Sequence, residues 1–157
     1  MDARKLCFGD VVSYGEHLFL FRGLKPTPKD GKPCLNGWGD NFNACYDGPY
    51  GLMASVEDES IKPVAITPER LLRCGWIEED DYWWYKGASV ALKSQHFGFW
   101  EVTLDASRTL YVEATSVKWV NDLQAILRVA DSIIGYKWCK DMEACESFQK
   151  LVNNQTI

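Results

Sequence analysis

The stretch between residues 76 and 114 constrains the fold most, because strand-forming runs and turn residues alternate along it. Its four aromatic or β-branched runs are WIEEDDYWWYKG, ASVALKSQ, FGFWEVTLD and RTLYVEAT. Short strands separated by turns at this spacing predict an antiparallel meander. Side chains alternate between the two faces of a strand, so Trp83 and Trp84 are expected on opposite faces. One of these tryptophans should therefore lie outside the main core.

The N-terminal part of the chain also favours β-structure. Residues 8–24 read as a β-hairpin, with two strand-like runs flanking a turn around Gly15. Residues 25–33 hold three prolines and an Asp-Gly pair, which predict an exposed loop. Short strands are expected within 41–46 and 51–58, on either side of the turn YDGPYG.

Three helices are predicted from caps and from hydrophobic periodicity. Thr67 suits an N-cap, Pro68 suits the first helical position and Gly75 suits the residue after the end, which predicts a helix over 67–74. Apolar residues at the i, i+3, i+4, i+7 spacing predict an amphipathic helix in 116–133. A second apolar stripe predicts another amphipathic helix in the tail KDMEACESFQKLVNNQ. The expected helical core residues are Leu71, Leu72, Leu123, Ile126, Leu127, Met142, Cys145, Phe148, Leu151 and Val152.

Together these elements predict an α+β fold in a single domain over residues 1–157. A small antiparallel β-barrel or curled sheet should carry the short central helix 67–74. The two C-terminal helices, near 117–132 and 140–153, should pack on one face of it. The domain is expected to consist of an N-terminal hairpin and Gly/Pro-rich loop (1–60) and of the helix, aromatic meander and C-terminal helices (61–157).

Composition narrows the classes of partner. The net charge is −5 and no basic stripe is visible, which argues against binding to duplex nucleic acid. The chain holds no run of ~18 apolar residues and begins without a signal-like apolar region, so a cytoplasmic protein without a membrane partner is expected. Six cysteines without a C-x-x-C pair, and only two histidines, predict reduced thiols and neither a metal site nor a cofactor.

No complete catalytic signature is present, so no catalytic residue is predicted. His17 lies at a hairpin turn and His96 at a strand end, where a structural role is the simpler interpretation of each. The acidic runs EDE (57–59) and EEDD (78–81) are more typical of solvated turns than of paired catalytic carboxylates. A small hydrolase acting on a nucleotide remains an alternative to a binding protein.

The segment CLNGWGDNFNACYDGPYG (34–51) is the first candidate for a ligand site. Glycines allow close backbone approach, and aromatic rings provide a stacking platform for a base. The predicted stacking residues are Trp38, Tyr46 and Tyr50, with Lys32 as the partner of an anion. Equally, a long loop can pack its aromatics against its own domain. Trp84 and Trp100 form the second candidate site, since one face of the aromatic meander is expected to be open.

Three segments in a fixed order resemble small uncharacterised proteins of phages and prophages, especially of the Bacteroides group. The family elements resemble IGNYV, PIPLTEEILLKCGF and YVHQLQNLLR, and the likeness covers about residues 7–23 and 61–130. Asn121 stands where the family often has a histidine, so no chemistry of that histidine applies here. The matching residues are Gly9, Asp10, Val11, Pro63, Ile66, Thr67, Glu69, Leu71, Leu72, Cys74, Gly75, Trp76, Trp119, Val120, Leu123, Gln124 and Leu127.

The resemblance implies a phage or prophage origin and a fold more than an activity. With this origin, the aromatic loop 34–51 and the lack of a catalytic signature favour a non-enzymatic binding protein in the host bacterial cytoplasm, which sequesters a nucleotide-like signal and so counters host defence. The alternative is an inhibitor or adaptor that binds a host defence protein. A protein partner predicts an exposed apolar patch. A nucleotide ligand predicts stacked aromatics with Lys or Arg, in a pocket at the subunit interface of a homo-oligomer.

Overall fold

The computed structural model describes residues 1–26, 42–104, 115–134 and 140–155. They form a mixed α+β structure with two antiparallel sheets of five strands each. The chain divides into two compact units, Met1–Pro63 with the residues from Val152 onward, and Val64–Leu151. No closed barrel occurs among the described residues, so two open sheets replace the barrel or single curled sheet expected from the sequence. That the whole chain is one domain stays a prediction.

The first unit is built around the predicted N-terminal hairpin. Its strands are β1 (Val11–Tyr14), β2 (His17–Pro26), β3 (Phe42–Asp47), β4 (Leu52–Ser55) and β5 (Ile61–Pro63). Their order in the sheet is β4-β3-β2-β1-β5. Val11 pairs with Leu20 and Tyr14 with His17, which confirms the hairpin. Its turn needs Gly15, where φ is +59°, a backbone conformation that favours glycine.

One face of this sheet carries the core of the first unit. The short 3-10 helix Ala3–Lys5 lies at the chain start, and Ala3 N–H donates to Val56 O (2.8 Å). Phe19 and Phe21 are two residues apart in β2, so both rings point to the same side of the sheet. The buried residues of this core are Ala3, Leu6, Val12, Phe19, Phe21, Ala44, Tyr46 and Ile61.

The second unit holds the predicted meander, and its sheet order is β10-β9-β8-β7-β6. Each described strand pairs with its neighbour in sequence, which confirms the meander up to Leu104. The predicted run RTLYVEAT lies outside the described residues except for Thr115, which pairs with Val102. These strands are β6 (Ile77–Glu79), β7 (Tyr82–Trp84), β8 (Val90–Ser94), β9 (Trp100–Leu104) and β10 (Thr115–Val117). The helices are α1 (Pro68–Arg73), α2 (Val120–Ile134) and α3 (Asp141–Ser147), followed by α4 (Gln149–Asn153).

The short helix α1 begins and ends where the sequence predicts. Thr67 Oγ1 accepts a hydrogen bond from Arg70 N–H (3.2 Å), which satisfies a free donor of the first turn. Gly75 has a φ of +91°, as the residue after a helix often requires. Leu71 is buried as expected, whereas Leu72 is exposed. A six-residue helix turns one narrow stripe inward, so neighbouring leucines cannot both lie on it.

The later helices differ from the prediction at their ends. Residue 116 was expected within a helix but lies in β10, opposite Glu101, so α2 begins only at Val120. The tail forms two short helices around Phe148 instead of one over 140–153. None of the helices in the described ranges is long and apolar enough to cross a membrane.

The predicted helical core is largely present. Beside Leu71, buried residues of the predicted set are Leu123, Leu127, Cys145, Phe148, Leu151 and Val152. Ile126 is only half-buried and Met142 is exposed. The periodicity therefore identified the buried stripe of α2, and it misplaced only residues at the edges of the stripes.

Candidate functional site

The loop site predicted over 34–51 is only partly described. Lys32 and Trp38 lie outside the described residues. Tyr46 lies in β3 with 2% of its surface exposed, and its ring packs against Phe21 with centroids 5.7 Å apart. Tyr50 is exposed, and its ring contacts Phe19 edge-on at 5.2 Å. Tyr46 is thus a core residue, and a ligand site made by this loop stays a prediction.

The Tyr46 hydroxyl has no hydrogen-bond partner among the described residues. Burial raises the pKa of this hydroxyl to about 12. A buried polar group without a partner costs free energy, so Tyr46→Phe should raise the free energy of unfolding by about 1 kcal/mol. Urea unfolding measures this change, with Tyr50→Phe, an exposed hydroxyl, as the neutral control. A loss above about 1 kcal/mol in Tyr46→Phe would reveal a partner for the hydroxyl.

A cleft of about 260 Å³ lies in the first unit, and its two charged side chains pair with each other. Arg22 Nε donates to Asp47 Oδ2 at 2.7 Å, and the Arg22 guanidinium lies 4.9 Å from the centre of the Phe8 ring. The Gln155 amide accepts from Leu18 N–H (2.6 Å) and donates to Leu18 O (2.7 Å). These contacts give the cleft a structural role.

The second sheet separates its side chains into two faces. Trp83, Leu92 and Val102 are buried on one face, and the residues that alternate with them point to the other. We call this other side the outer face. Ala91 is buried there, opposite Trp84. The outer face comprises Ile77, Glu79, Tyr82, Trp84, Ala91, Lys93, Gln95, Phe99, Glu101, Thr103 and Ser116. The prediction that one of Trp83 and Trp84 lies outside the core is confirmed, since Trp83 is 5% exposed and Trp84 only half-buried.

Trp100, the other member of the second candidate site, belongs to the buried side. It is 3% exposed, and its indole Nε1 donates to Ile66 O at 3.0 Å. Its neighbours Phe99 and Glu101 take the outer face. The two predicted tryptophans therefore do not lie together. Of the two, only Trp84 presents its ring from the outer face.

An aromatic pair and a lysine meet at one end of the outer face. The Tyr82 and Trp84 rings lie with centroids 6.1 Å apart and planes tilted by 46°. Lys93 Nζ is 5.4 Å from the centre of the Tyr82 ring. Both rings are half-buried, so packing holds them while part of each stays accessible. Rings beside an ammonium suit a planar ligand that carries a negative charge.

Towards β10 the outer face forms a shallow depression. Gln95 is fixed there, because its Oε1 accepts from Ser116 Oγ (2.8 Å) and its Nε2 donates to Glu101 Oε2 (3.3 Å). Phe99 is exposed, and Lys118 Nζ lies 5.8 Å from the centre of its ring. The depression measures about 490 Å³, and its lining residues are Ser94, Gln95, His96, Phe99 and Ser116.

Phe97 lies beside this depression at the tip of the β8–β9 connection. It is 91% exposed and has a φ of +60°, which is uncommon for a residue with a bulky side chain. The following Gly98 also has a positive φ, +77°. The Phe97 ring is thus almost fully exposed, on a backbone conformation that costs free energy.

The described residues offer little for covalent or metal chemistry. Cys7, Cys45 and Cys74 are free thiols, and Cys145 Sγ–H donates to Gln124 O at 3.6 Å. Burial raises the pKa of the Cys74 thiol to about 12, so it holds almost no thiolate at neutral pH. The described part of the chain contains no group of three or more His, Cys, Asp or Glu side chains that would hold a metal ion. The absence of a cofactor stays a prediction for the whole chain.

Comparison with known proteins assigns neither a family nor a function to this chain. A scan against protein-family models and searches of curated proteins and of solved structures found no match to this chain. The likeness to phage proteins therefore stays a prediction, and the function has to be argued from the outer face itself.

Sequence reasoning found Trp84 but missed its partners on the outer face. Strand alternation puts Tyr82 on the same side as Trp84, whereas Lys93, Phe99 and Lys118 come from other parts of the chain. Their proximity depends on the register of β7, β8, β9 and β10. The available signal was strand alternation, which puts Lys93 and Gln95 on one side of β8.

Proposed function

We propose that the protein is a non-enzymatic binding protein that holds a nucleotide-like ligand on its outer face. One observation carries this proposal: the Tyr82–Trp84 pair, with the Lys93 ammonium 5.4 Å from the Tyr82 ring centre. A base stacks on an accessible aromatic ring, at about 1–3 kcal/mol per base, and a phosphate pairs with the ammonium. The net charge of −5 disfavours long polyanions, so a small ligand fits better than a polynucleotide.

The biological setting is proposed from the sequence resemblance alone. A phage- or prophage-encoded protein of this kind would act in the host cytoplasm by sequestering a nucleotide signal of the defence system. Sequestration is stoichiometric and requires no catalytic residue. Gln95, Ser116 and Glu101 are hydrogen-bonded to one another, which suits a preformed binding surface better than a site of proton transfer.

We expect Trp84→Ala to weaken nucleotide binding by about tenfold or more, because it removes a stacking ring from the outer face. A thermal-shift panel of nucleotides on the wild-type chain identifies the ligand, since a ligand at 100 times its Kd stabilises the fold by about 2.7 kcal/mol. Titration of the two proteins with that ligand then gives the change in Kd. Recovery of the nucleotide unchanged after incubation separates binding from hydrolysis.

Lys93→Gln tests the phosphate contact, with Lys86→Gln as the matched control at an exposed lysine in the β7–β8 connection. Lys93→Gln should weaken binding of the nucleotide but not of its nucleoside, whereas Lys86→Gln should change neither. The proposal is wrong if no nucleotide binds the wild-type chain. It is equally wrong if Trp84→Ala and Lys93→Gln both bind the ligand as the wild type does.

A protein partner is the second candidate function, and the exposure of Phe97 favours it. An inhibitor or adaptor that binds a host defence protein would insert such a ring into a pocket of its partner. Phe97→Ser should then abolish retention of that host protein on immobilised chain without altering nucleotide binding. Retention that is unchanged in Phe97→Ser would exclude this residue as the contact.

A further inference from the structure

We propose that the ligand of the outer face is a dinucleotide, with one base on the Tyr82–Trp84 pair and the other on Phe99. This inference rests on the proposed function and names the class of ligand for the same site. Its starting point is that the outer face holds two aromatic–lysine pairs. Lys93 Nζ lies 5.4 Å from the centre of the Tyr82 ring, and Lys118 Nζ lies 5.8 Å from the centre of the Phe99 ring.

The strand register puts both pairs on the same face. Lys93 lies opposite Glu101, and Glu101 lies opposite Ser116. Phe99 has an extended backbone (φ −82°, ψ 152°) two residues before Glu101, so its side chain points to the same side. Lys118 follows Ser116 by two residues and reaches the Phe99 ring. The second pair therefore repeats the arrangement of the first.

The separation of the pairs selects the size of the ligand. Tyr82 in β7 and Phe99 beside β9 are two strands apart, which is about 10 Å, and about 7 Å apart along the strands. The Cα atoms of Tyr82 and Phe99 are thus about 12 Å apart, whereas stacked neighbouring bases are about 3.4 Å apart. A mononucleotide reaches only one ring, and a dinucleotide reaches both when its bases are splayed.

The groups between the two pairs suit sugars better than phosphates. Glu101, Gln95 and Ser116 lie there and are already connected by hydrogen bonds. A carboxylate accepts hydrogen bonds from ribose hydroxyls, as in other nucleotide sites, and it repels a phosphate. The 5′-phosphate is therefore assigned to Lys93, the linking phosphate to Lys118, and the first ribose to the surface between them. This charge pattern also favours ribose over deoxyribose.

The experiment compares a 5′-monophosphate with the linear 5′-phosphorylated ribodinucleotide, for each of the four bases. For the preferred base, the dinucleotide should bind about tenfold to a hundredfold more tightly, as expected for one additional stacked base. Phe99→Ala should remove this gain and leave monophosphate binding unchanged. Phe97→Ala is the matched control, because the Phe97 ring is close in sequence but does not belong to the outer face. This variant should preserve the gain.

The outcomes separate the two proposals. If monophosphates bind and dinucleotides bind no more tightly, the dinucleotide assignment is wrong while the proposed function stands. A dinucleotide gain that persists in both Phe99→Ala and Lys118→Gln would place the second base elsewhere and also overturns the assignment. If neither class of nucleotide binds, the proposed function itself fails.

Discussion

Replacing Gly48 with alanine should lower the free energy of unfolding by about 3 kcal/mol, because the new methyl group has no space. A Cβ at Gly48 would lie 2.5 Å from Phe19 Cδ1 and 2.8 Å from the backbone oxygen of Leu18. Both residues belong to β2, whose neighbouring strands β1 and β3 fix its position. The Phe19 ring is buried and also contacts Tyr50, so it cannot simply rotate away.

Gly51→Ala is the matched control for this substitution. An added Cβ there would meet no atom within 4 Å, and the residue lies in the same β3–β4 connection. Urea unfolding should show Gly51→Ala within about 0.5 kcal/mol of the wild type. Equal stabilities of the two variants would show that β2 can move away from the turn, contrary to the expected steric conflict.

These two glycines show why local sequence signals identified elements but not their packing. Thr67, Pro68 and Gly75 each act within one turn of helix, so α1 was predictable from its own residues. Gly15 likewise marks its hairpin locally. Gly48 and Gly51 stand in one turn-rich segment and look alike in sequence. Only the tertiary approach of Phe19 and Leu18 makes one of them essential.

The division into two sheets is a similar non-local result. Strand propensity recognised the runs on both sides of α1, but not which runs pair with one another. Ser116 shows the same limit: it begins the helical segment predicted over 116–133, yet backbone pairing with Glu101 places it in β10. Pairing across distant residues overrides a local preference whenever it satisfies more backbone groups.

The candidate site was predictable to the extent that it depends on alternation along one strand. Trp83 and Trp84 separated as expected, because alternation puts neighbouring residues of a strand on opposite faces. Which of the two is buried could not be predicted, since every residue of β7 is aromatic. In FGFW the neighbouring residues Phe99 and Trp100 are both aromatic, so hydrophobicity gives no sign of which points inward. In the structure Trp100 is the buried one, and its indole Nε1 donates a hydrogen bond to Ile66 O. The positions of Lys93 and Lys118 beside their rings could not be predicted, because they depend on the strand register.

The other large effect is expected at Asp141, whose replacement by alanine should lower the free energy of unfolding by about 3 kcal/mol. Asp141 is 0% exposed, and its two carboxylate oxygens accept from Ser89 N–H (2.7 Å) and Ser89 Oγ–H (2.8 Å). Alanine would leave two donors of Ser89 buried without an acceptor. Ser89 directly precedes β8, so this contact fixes the strand that carries Lys93.

Asp141→Asn separates the loss of these hydrogen bonds from other effects of the substitution. Its amide oxygen still accepts from Ser89 N–H, and its amide nitrogen can donate to Ser89 Oγ, so a loss of only about 1 kcal/mol is expected. Glu143→Ala, at an exposed acid of the same helix, should cost less than about 1 kcal/mol. Chemical unfolding of the three variants ranks them. If Asp141→Ala proves no less stable than Glu143→Ala, which loses only exposed contacts to Lys140 and Tyr85, the buried carboxylate does not hold the start of β8.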